Sequence, residues 1–317
     1  MAIPAASEDF YRTLQRLQVV LVAAGRRAWS RIRPDFDPSW EEVQRGLIDV
    51  TAATQLAAAT AAAEYVPAVL EETGQPDDPA GAIVPAAFAG SAADGRSLLG
   101  LLDGAVVAAK LASGRGLAPE RALDVGGRWL DMTLPTVVSD AGRQATGAEI
   151  AQRSGMGWTR MVNAPCCSRC ALLAGRWYRY SAGFPRHPRC DCVHIPARED
   201  TADDFRTDPD ELLRRGLITD LTDAQRKALD AGADLGRVVN ANRGMYTTTV
   251  FGRQVRATTE ATTARGVGRE LGGLAKRPGE RYRRSTVVRL TPEGIYRIAE
   301  DQADAVRLLQ RYGYITT

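Results

Sequence analysis

The sequence predicts an α+β protein that is mostly α-helical, and three observations support this fold class. Apolar residues recur at helical spacing through most of the first 150 residues, and short β-prone segments with aromatic residues follow. All five cysteines and both histidines lie between Cys166 and His194. A chain of 317 residues is longer than one hydrophobic core usually organises. We therefore predict a helical bundle over residues 1–150, a β-rich Cys/His module over 151–200 and a mixed α/β segment over 201–317.

Four helices are expected in the bundle, because each apolar pattern follows a helix-start signal. These signals are Ser7, the Ser39-x-x-Glu42 capping box, Ser97, and Pro119 at a first helical position. The first pattern runs up to Pro34, and the fourth reaches Gly147 with a kink expected at Pro135.

The elements expected after residue 150 are shorter. Trp158–Val162 and Arg176–Tyr180 are aromatic and β-prone, which predicts a strand and hairpin setting for the cysteines. A second β-hairpin is predicted from Tyr246–Phe251 and Gln254–Thr258, joined by Gly252-Arg253 in a type II′ turn. Helix boundaries are expected at Asp208-Pro209, Thr222-x-x-Gln225, Asn242-Arg243-Gly244 and Thr291-Pro292-Glu293.

Positive charge is concentrated in one late segment. The chain has 41 Lys and Arg against 38 Asp and Glu, so an interaction with nucleic acid would have to depend on a local patch. Residues 265–289 hold eight basic and two acidic residues among several glycines, which predicts a mobile basic loop. Such a loop could bind DNA without sequence specificity or contact an acidic protein surface. Its candidate binding residues are Arg265, Arg269, Lys276, Arg277, Arg281, Arg283 and Arg284.

The cysteines are expected to stay reduced. The N-terminus lacks the pattern of a secretion signal, and no run of 18 apolar residues predicts a membrane span. We therefore expect a protein that is made and kept soluble, without export and without a membrane partner. An odd number of cysteines in such a chain argues against a disulfide framework and leaves metal binding or a reactive thiol.

The cysteines and histidines have the spacing of a structural zinc site. Cys167-Ser-Arg-Cys170 is followed, after 16 intervening residues, by His187-Pro-Arg-Cys190. Each of these turns can present two side chains to one ion. Cys192 competes for the fourth position, because Cys190 and Cys192 point to the same face of an extended segment. The eight arginines and one aspartate between residues 153 and 198 would favour thiolates. We predict one structural zinc per chain.

Three alternatives to zinc remain open. The cysteines could be buried thiols without a metal. Cys167 and Cys170 could form a redox pair, although no βαβ pattern surrounds them. Cys167 and His187 could also act as a nucleophile and base, with Asp191 orienting the histidine.

These motifs resemble the C-terminal signature of phage Mu F-like (MuF-like) minor capsid, or head morphogenesis, proteins. The signature consists of Cys167-Ser-Arg-Cys170-Ala-Leu-Leu-Ala-Gly175, an aromatic strand, and Gly183-Phe-Pro-Arg-His187-Pro-Arg-Cys190-Asp-Cys192. The similarity to the actinobacteriophage branch of this group extends over most of the chain, including Gly127-Arg-Trp-Leu-Asp131 and Gly236-Arg-Val-Val-Asn240.

The resemblance implies a component of the virion inside the phage head. It would associate with the portal protein and act with the major capsid and scaffold proteins in procapsid assembly, and in packaging or ejecting DNA. This branch is also labelled a capsid maturation protease. The residues favour a protein that is not an enzyme, because both histidines lie in the metal cluster and Lys110, Lys227 and Lys276 lie in no nucleophile motif. A third reading is a DNA-binding protein carried in the capsid.

Overall fold

The computed structural model describes residues 3–241, 245–250, 253–260, 274–275, 284–290, 292–312 and 315. In these residues the protein is α+β and mostly α-helical, which confirms the predicted fold class. The chain divides into two compact units. The first unit comprises Met1–Asn163 and Ala174–Thr207, and the second comprises Ala164–Leu173 and Asp208–Thr317.

Five helices build most of the first unit. They are α1 (Ala5–Trp29), α2 (Asp37–Glu72), α3 (Leu98–Leu102), α4 (Gly104–Gly114) and α5 (Pro119–Ala151). Helices α1, α2 and α5 contact one another, and α4 packs against α5. The apolar faces of α1, α2, α4 and α5 share one hydrophobic core, and Leu98 and Leu101 of α3 lie in a smaller cluster with Val137 of α5. The predicted helices are therefore confirmed as packed elements.

The start of α1 differs from the prediction. The helix begins at Ala5, and Ser7 is a buried residue whose hydroxyl forms a hydrogen bond of 2.9 Å with the Tyr65 hydroxyl. The carboxylate of Glu72, at the end of α2, accepts hydrogen bonds from the backbone N–H groups of Ala5 and Ala6 at 2.7 and 3.0 Å. A side chain from another helix therefore takes the capping role that was predicted for Ser7.

The predicted capping box at Ser39 is also wrong. Helix α2 begins at Asp37, two residues earlier, with no side-chain cap. The Ser39 hydroxyl donates to the Phe36 carbonyl, and Glu42 forms an ion pair with Arg33 at 2.7 Å. Both side chains satisfy partners in the α1–α2 connection instead.

The remaining helix starts agree better with the sequence. The Ser97 hydroxyl accepts the Gly100 N–H at 3.0 Å, and Pro119 opens α5. The predicted third helix is divided at Asp103 into α3 and α4, whereas α5 is assigned as one helix across Pro135. Among the described residues, no helix combines the length and apolar content needed to cross a membrane.

A three-stranded antiparallel sheet completes the first unit. Its strands are β1 (Met156–Met161), β2 (Trp177–Arg179) and β3 (Val193–Arg198), in the order β2-β1-β3. Strands β1 and β2 were predicted, and β3 was not. The Cys-x-x-Cys pair is not in a hairpin, because it lies at the start of a short helix, α6 (Ser168–Ala174).

Five further helices belong to the second unit. They are α7 (Pro209–Arg214), α8 (Asp223–Asp230), α9 (Leu235–Asn240), α10 (Pro292–Ile298) and α11 (Gln302–Arg311). The predicted starts at Asp208 and Thr222 are confirmed by their caps, and Thr222 with Gln225 forms a capping box. The predicted helix end at 242–244 lies outside the described residues.

The second unit also contains a four-stranded antiparallel sheet. Its strands are β4 (Met245–Val250), β5 (Arg253–Glu260), β6 (Leu274–Ala275) and β7 (Arg284–Leu290), in the order β4-β5-β7-β6. Strands β4 and β5 confirm the predicted hairpin. Because Arg253 pairs with Val250, it lies in the strand and not in the turn.

The prediction of a basic loop over residues 265–289 is wrong for the residues that form β6 and β7. The run Thr286-Val287-Val288 is β-branched, and its strand preference outweighs the charge of the flanking arginines. Arg284 lies in β7, where its backbone pairs with Glu260 and Ala275. The other six candidate binding residues lie outside the described part of the chain, namely Arg265, Arg269, Lys276, Arg277, Arg281 and Arg283.

Candidate metal centre

The Cys-x-x-Cys pair forms a compact turn at the start of α6. The backbone N–H of Cys170 donates to the Sγ atom of Cys167 at 3.4 Å. Hydrogen bonds from backbone amides to sulfur favour the thiolate, which is the form that ligates a metal. The turn therefore already offers the donor geometry that a metal-binding cysteine pair needs.

Backbone contacts within the second unit fix this turn in place. Cys166 exchanges hydrogen bonds with the segment before α8, donating to the Leu217 carbonyl at 2.9 Å and accepting from the Thr219 N–H at 3.0 Å. The Asp220 carboxylate accepts from the Ser168 N–H at 2.7 Å and is within 3.1 Å of the Ser168 hydroxyl. Cys166 thus has a structural role through its backbone.

The His187-Pro-Arg-Cys190 turn lies in the first unit. It closes through a hydrogen bond of 3.0 Å from the Cys190 N–H to the His187 carbonyl. Arg189 has φ of 61°, a left-handed conformation that costs a residue with a side chain about 1 kcal/mol. Its N–H donates to the Thr136 hydroxyl of α5 at 3.1 Å, which helps to hold it there. His187 Nδ1 lies 2.8 Å from the Pro188 carbonyl, so a proton on Nδ1 would make Nε2 the ligating nitrogen.

Arg143 of α5 holds the backbone of the Cys190–Cys192 segment. This side chain is 4% exposed, and its Nε donates to the Cys192 carbonyl at 2.9 Å while Nη2 donates to the Cys190 carbonyl. Its Nη1 donates to Asp140 at 3.0 Å. From α1, the Tyr11 hydroxyl donates to the Asp191 carboxylate at 2.9 Å. Burial raises the pKa of Tyr11, and the Asp191 carboxylate raises it further, so this hydroxyl stays protonated as a donor.

A second arginine, Arg160 of β1, is completely buried and points at a cysteine. Its Nη1 lies 3.8 Å from the Cys190 Sγ atom, and its Nη2 donates to the Pro185 carbonyl. Its guanidinium lies over the Phe184 ring, 3.9 Å from the ring centroid. Phe184 in turn stacks on Trp158 with centroids 4.9 Å apart. The segment before Cys190 is therefore held by arginine and aromatic contacts.

His194 lies in the core of the first unit. Its ring contacts Trp158 and Phe184 edge-on, each with centroids 4.5 Å apart, and its carbonyl accepts from the Tyr65 hydroxyl. Burial lowers the pKa of His194 well below its usual value, and the charges of Arg143 and Arg160 lower it further. His194 is therefore a neutral histidine of the core, and it belongs to neither group of residues that could hold a metal ion.

The cysteine and histidine side chains predicted as ligands form a cluster that could hold a metal ion. One group consists of Cys167, Cys170 and His187, and the other of Cys170, Cys190 and Cys192. Thiolates with one imidazole are ligands that zinc prefers. A cavity of about 240 Å³ borders Cys190 and Asp191. The choice between Cys190 and Cys192 as the fourth ligand stays a prediction.

Arg143, Arg160 and Phe184 are the site residues that the sequence reasoning missed. The excess of arginine between residues 153 and 198 was a signal for Arg160, but a count of charges does not distinguish a buried arginine from solvated ones. Arg143 lies 47 and 49 residues before the carbonyls that it contacts. Only the folded chain reveals that contact.

Comparisons with known proteins give one match. A family model described as VG15 protein matches residues 1–215, which include the helical bundle, the three-stranded sheet and every predicted metal ligand. Comparisons with curated proteins and with solved structures find no match. The family is a viral one, so the match agrees with the phage origin that the motifs predict, while the finer resemblance to MuF-like proteins stays a prediction. Because the match covers more than half of the 317 residues, the chain belongs to the VG15 protein family and is a phage-type protein.

Proposed function

We propose that the protein is a minor capsid protein of a tailed bacteriophage that acts in head morphogenesis. It would be made in the bacterial cytoplasm and incorporated into the virion, inside the capsid near the portal. The observation that carries this proposal is the signature between Cys167 and Cys192, which lies within the family match and whose side chains could hold a metal ion. Its partners would be the portal, major capsid and scaffold proteins.

The proposed cofactor is one structural zinc ion, held by Cys167, Cys170, His187 and either Cys190 or Cys192. The donor set supports this choice, because sulfur and imidazole ligands select zinc over the harder ions magnesium and calcium. Four or five candidate ligands leave no coordination position for a reacting water, which supports a structural ion over a catalytic one. When bound, zinc would supply cross-linking of the ligand turns and no redox chemistry.

A head maturation protease is the alternative from a different class. The described residues favour it less, because His194 is enclosed by the Trp158 and Phe184 rings and is a poor proton acceptor. Lys110 forms an ion pair with Asp37 at the protein surface, and Lys227 is exposed on α8, so neither has the burial that activates a lysine base. Cleavage of purified major capsid or scaffold protein, abolished by one substitution in this chain, would establish the protease instead.

Mass spectrometry of mature virions tests the main proposal. We expect the intact chain in low copy relative to the major capsid protein, and we expect it to copurify with the portal protein from procapsids. Its absence from virions and procapsids would contradict the proposal. DNA binding is tested separately by neutralising Arg281, Arg283 and Arg284, which should flatten the salt dependence of binding if these residues contact phosphates.

A further inference from the structure

We propose that Arg160 and Arg143 are positioning residues of the metal centre, which hold the Cys190 sulfur and the backbone of the Cys190–Cys192 segment in place for the ion. This inference rests on the proposed metal site. The inference adds that the Cys190–Cys192 segment is held by Arg143 of α5 and Arg160 of β1. The His187–Cys192 segment therefore depends on the rest of the first unit and is not an independent zinc finger.

The charge of Arg160 is the first reason. A fully buried guanidinium needs a negative partner, because transferring an unpaired charge out of water is strongly unfavourable. In the described part of the chain, no carboxylate is among the hydrogen-bond or ion-pair partners of Arg160. Its contacts are the Pro185 carbonyl, the Phe184 ring and the Cys190 sulfur. Of these groups only the sulfur is a candidate metal ligand, and it would carry negative charge once it binds the ion, so Arg160 is placed to donate to the metal-bound sulfur of Cys190.

The geometry of Arg143 is the second reason. Its planar guanidinium contacts two carbonyls on either side of Asp191 and a carboxylate at the same time. That carboxylate, Asp140, also pairs with Arg186 of the ligand segment. A lysine has a single donor centre and cannot reproduce this fork. Arg143 therefore fixes the backbone at residues 190 and 192, and with it the direction in which their side chains point.

The two arginines should have separable effects on a bound metal. Arg160 acts on a sulfur atom, so it should change the electronic properties of the metal–sulfur bond as well as the affinity. Arg143 acts on carbonyls, so it should change the affinity alone. Outer-shell groups of this kind change metal affinity by about 10- to 100-fold. A purely structural role for both residues would leave the metal–sulfur bond unchanged.

Titration of the full chain with cobalt(II) tests this difference. Cobalt replaces zinc in tetrahedral thiolate sites and absorbs through thiolate-to-metal charge transfer. We expect R160M to weaken cobalt binding about 10- to 100-fold and to move the charge-transfer band to lower energy, because the sulfur loses a hydrogen-bond donor. R143M should weaken binding by a similar factor without moving the band. R160K should restore part of the affinity, because it keeps the charge.

Two control variants separate these effects from loss of folding. R179M removes an exposed arginine from the neighbouring strand β2 and should bind cobalt like the wild type. G126A crowds the contact of α5 with Trp29 and Ala105 and touches none of these arginine contacts, so it should lower the melting temperature and leave the band in place. If R160M does not fold, R160K still lacks the native guanidinium donor, and its band is compared with that of the wild type.

The possible failures are distinguishable. A wild-type chain without a tetrahedral thiolate spectrum would contradict the metal site itself, and with it this inference. A normal wild-type spectrum with unchanged affinity and band energy in folded R160M or R160K would overturn the role of Arg160 and leave the metal site intact. Unchanged affinity in folded R143M or R143K would overturn the role of Arg143.

Discussion

Cys170 is the side chain shared by both groups that could hold a metal ion. It is buried, and its backbone N–H donates to the Cys167 thiol. Cys166, four residues earlier, is outside both groups and is held by backbone contacts to Leu217 and Thr219. Cys166 is therefore a suitable control for Cys170, because both are buried but only Cys170 is a candidate metal ligand.

We predict that C170S abolishes zinc binding, whereas C166S keeps it. A serine hydroxyl is a much weaker zinc ligand than a thiolate, while serine at position 166 preserves the backbone hydrogen bonds. Elemental analysis of protein purified without chelator should give about one zinc per chain for the wild type and C166S, and close to none for C170S. Equal zinc contents in both variants would exclude the proposed ligand set.

Much of the metal cluster could be predicted from the sequence, because the spacing between ligands in each turn involves only a few consecutive residues. Cys167, Cys170 and His187 could be selected from their x-x turns alone. The residues around them could not be, since the contacts of Arg143 and Arg160 join distant positions. Similarly, Ser7 and Ser39 have the sequence of caps, but the Tyr65 hydroxyl and the Phe36 carbonyl compete for their hydroxyl groups.

Close contacts between helices of the first unit require glycine at the contact point. Gly126 of α5 faces Trp29 of α1 and the backbone of α4. A Cβ atom there would lie 2.3 Å from the Trp29 ring and 2.7 Å from the Ala105 carbonyl oxygen. Trp29 also donates its indole N–H to the Leu123 carbonyl at 2.9 Å, so the ring has little freedom to move away.

We expect G126A to destabilise the protein by about 1–3 kcal/mol, because the added methyl group forces the helices apart. G147A is the control in the same helix, since no atom lies within 4 Å of a Cβ built there. This second change should be neutral or stabilise by about 0.5–1 kcal/mol through helix propensity. Urea unfolding followed by circular dichroism measures both, and equal stabilities would show that α4 and α5 are not as close as described.

The start of α1 depends on the end of α2. Replacing Glu72 by alanine removes the carboxylate that accepts the N–H groups of Ala5 and Ala6, and we expect a loss of about 0.5–2 kcal/mol. The first turn of α1 should also exchange its amide hydrogens faster. Glu71 is the exposed neighbour, so E71A should leave that exchange unchanged. Identical exchange in both variants would contradict this capping role.

Strand β3 shows why some elements could not be predicted. It contains Pro196, and proline argues against a strand because it lacks a backbone donor. The sheet order β2-β1-β3 places β3 at an edge, where proline is tolerated. A single sequence gives the composition of a strand but not its position in the sheet. The helices were predicted more accurately than the strands, because the apolar periodicity of a helix can be recognised without knowing which elements it packs against.

At the scale of the whole molecule, each of the two units has a main hydrophobic core among the described residues. One joins residues from Phe10 to Phe205, and the other joins residues from Ala228 to Leu309. Each unit also has its own antiparallel sheet. Separate cores support separate cooperative transitions, which is the usual behaviour of chains longer than one domain.

We predict that thermal unfolding of the full chain is not two-state. The calorimetric enthalpy should exceed the van't Hoff enthalpy, because two units that melt independently broaden the transition. G126A should lower the melting temperature of only one of the two components, while T222A, which removes the cap of α8, should lower the other. A single transition with equal enthalpies that both variants shift alike would show one cooperative structure.

The path of the chain has a consequence for the order in which the protein can be made. Residues 164–173 interrupt the first unit but belong to the second, and their anchors are Leu217, Thr219 and Asp220. On the ribosome, Cys167 and Cys170 therefore emerge about 50 residues before the segment that secures them. During that interval both thiols are open to oxidation or to an incorrect metal. We therefore expect correct assembly to need a reducing environment until synthesis has passed residue 220.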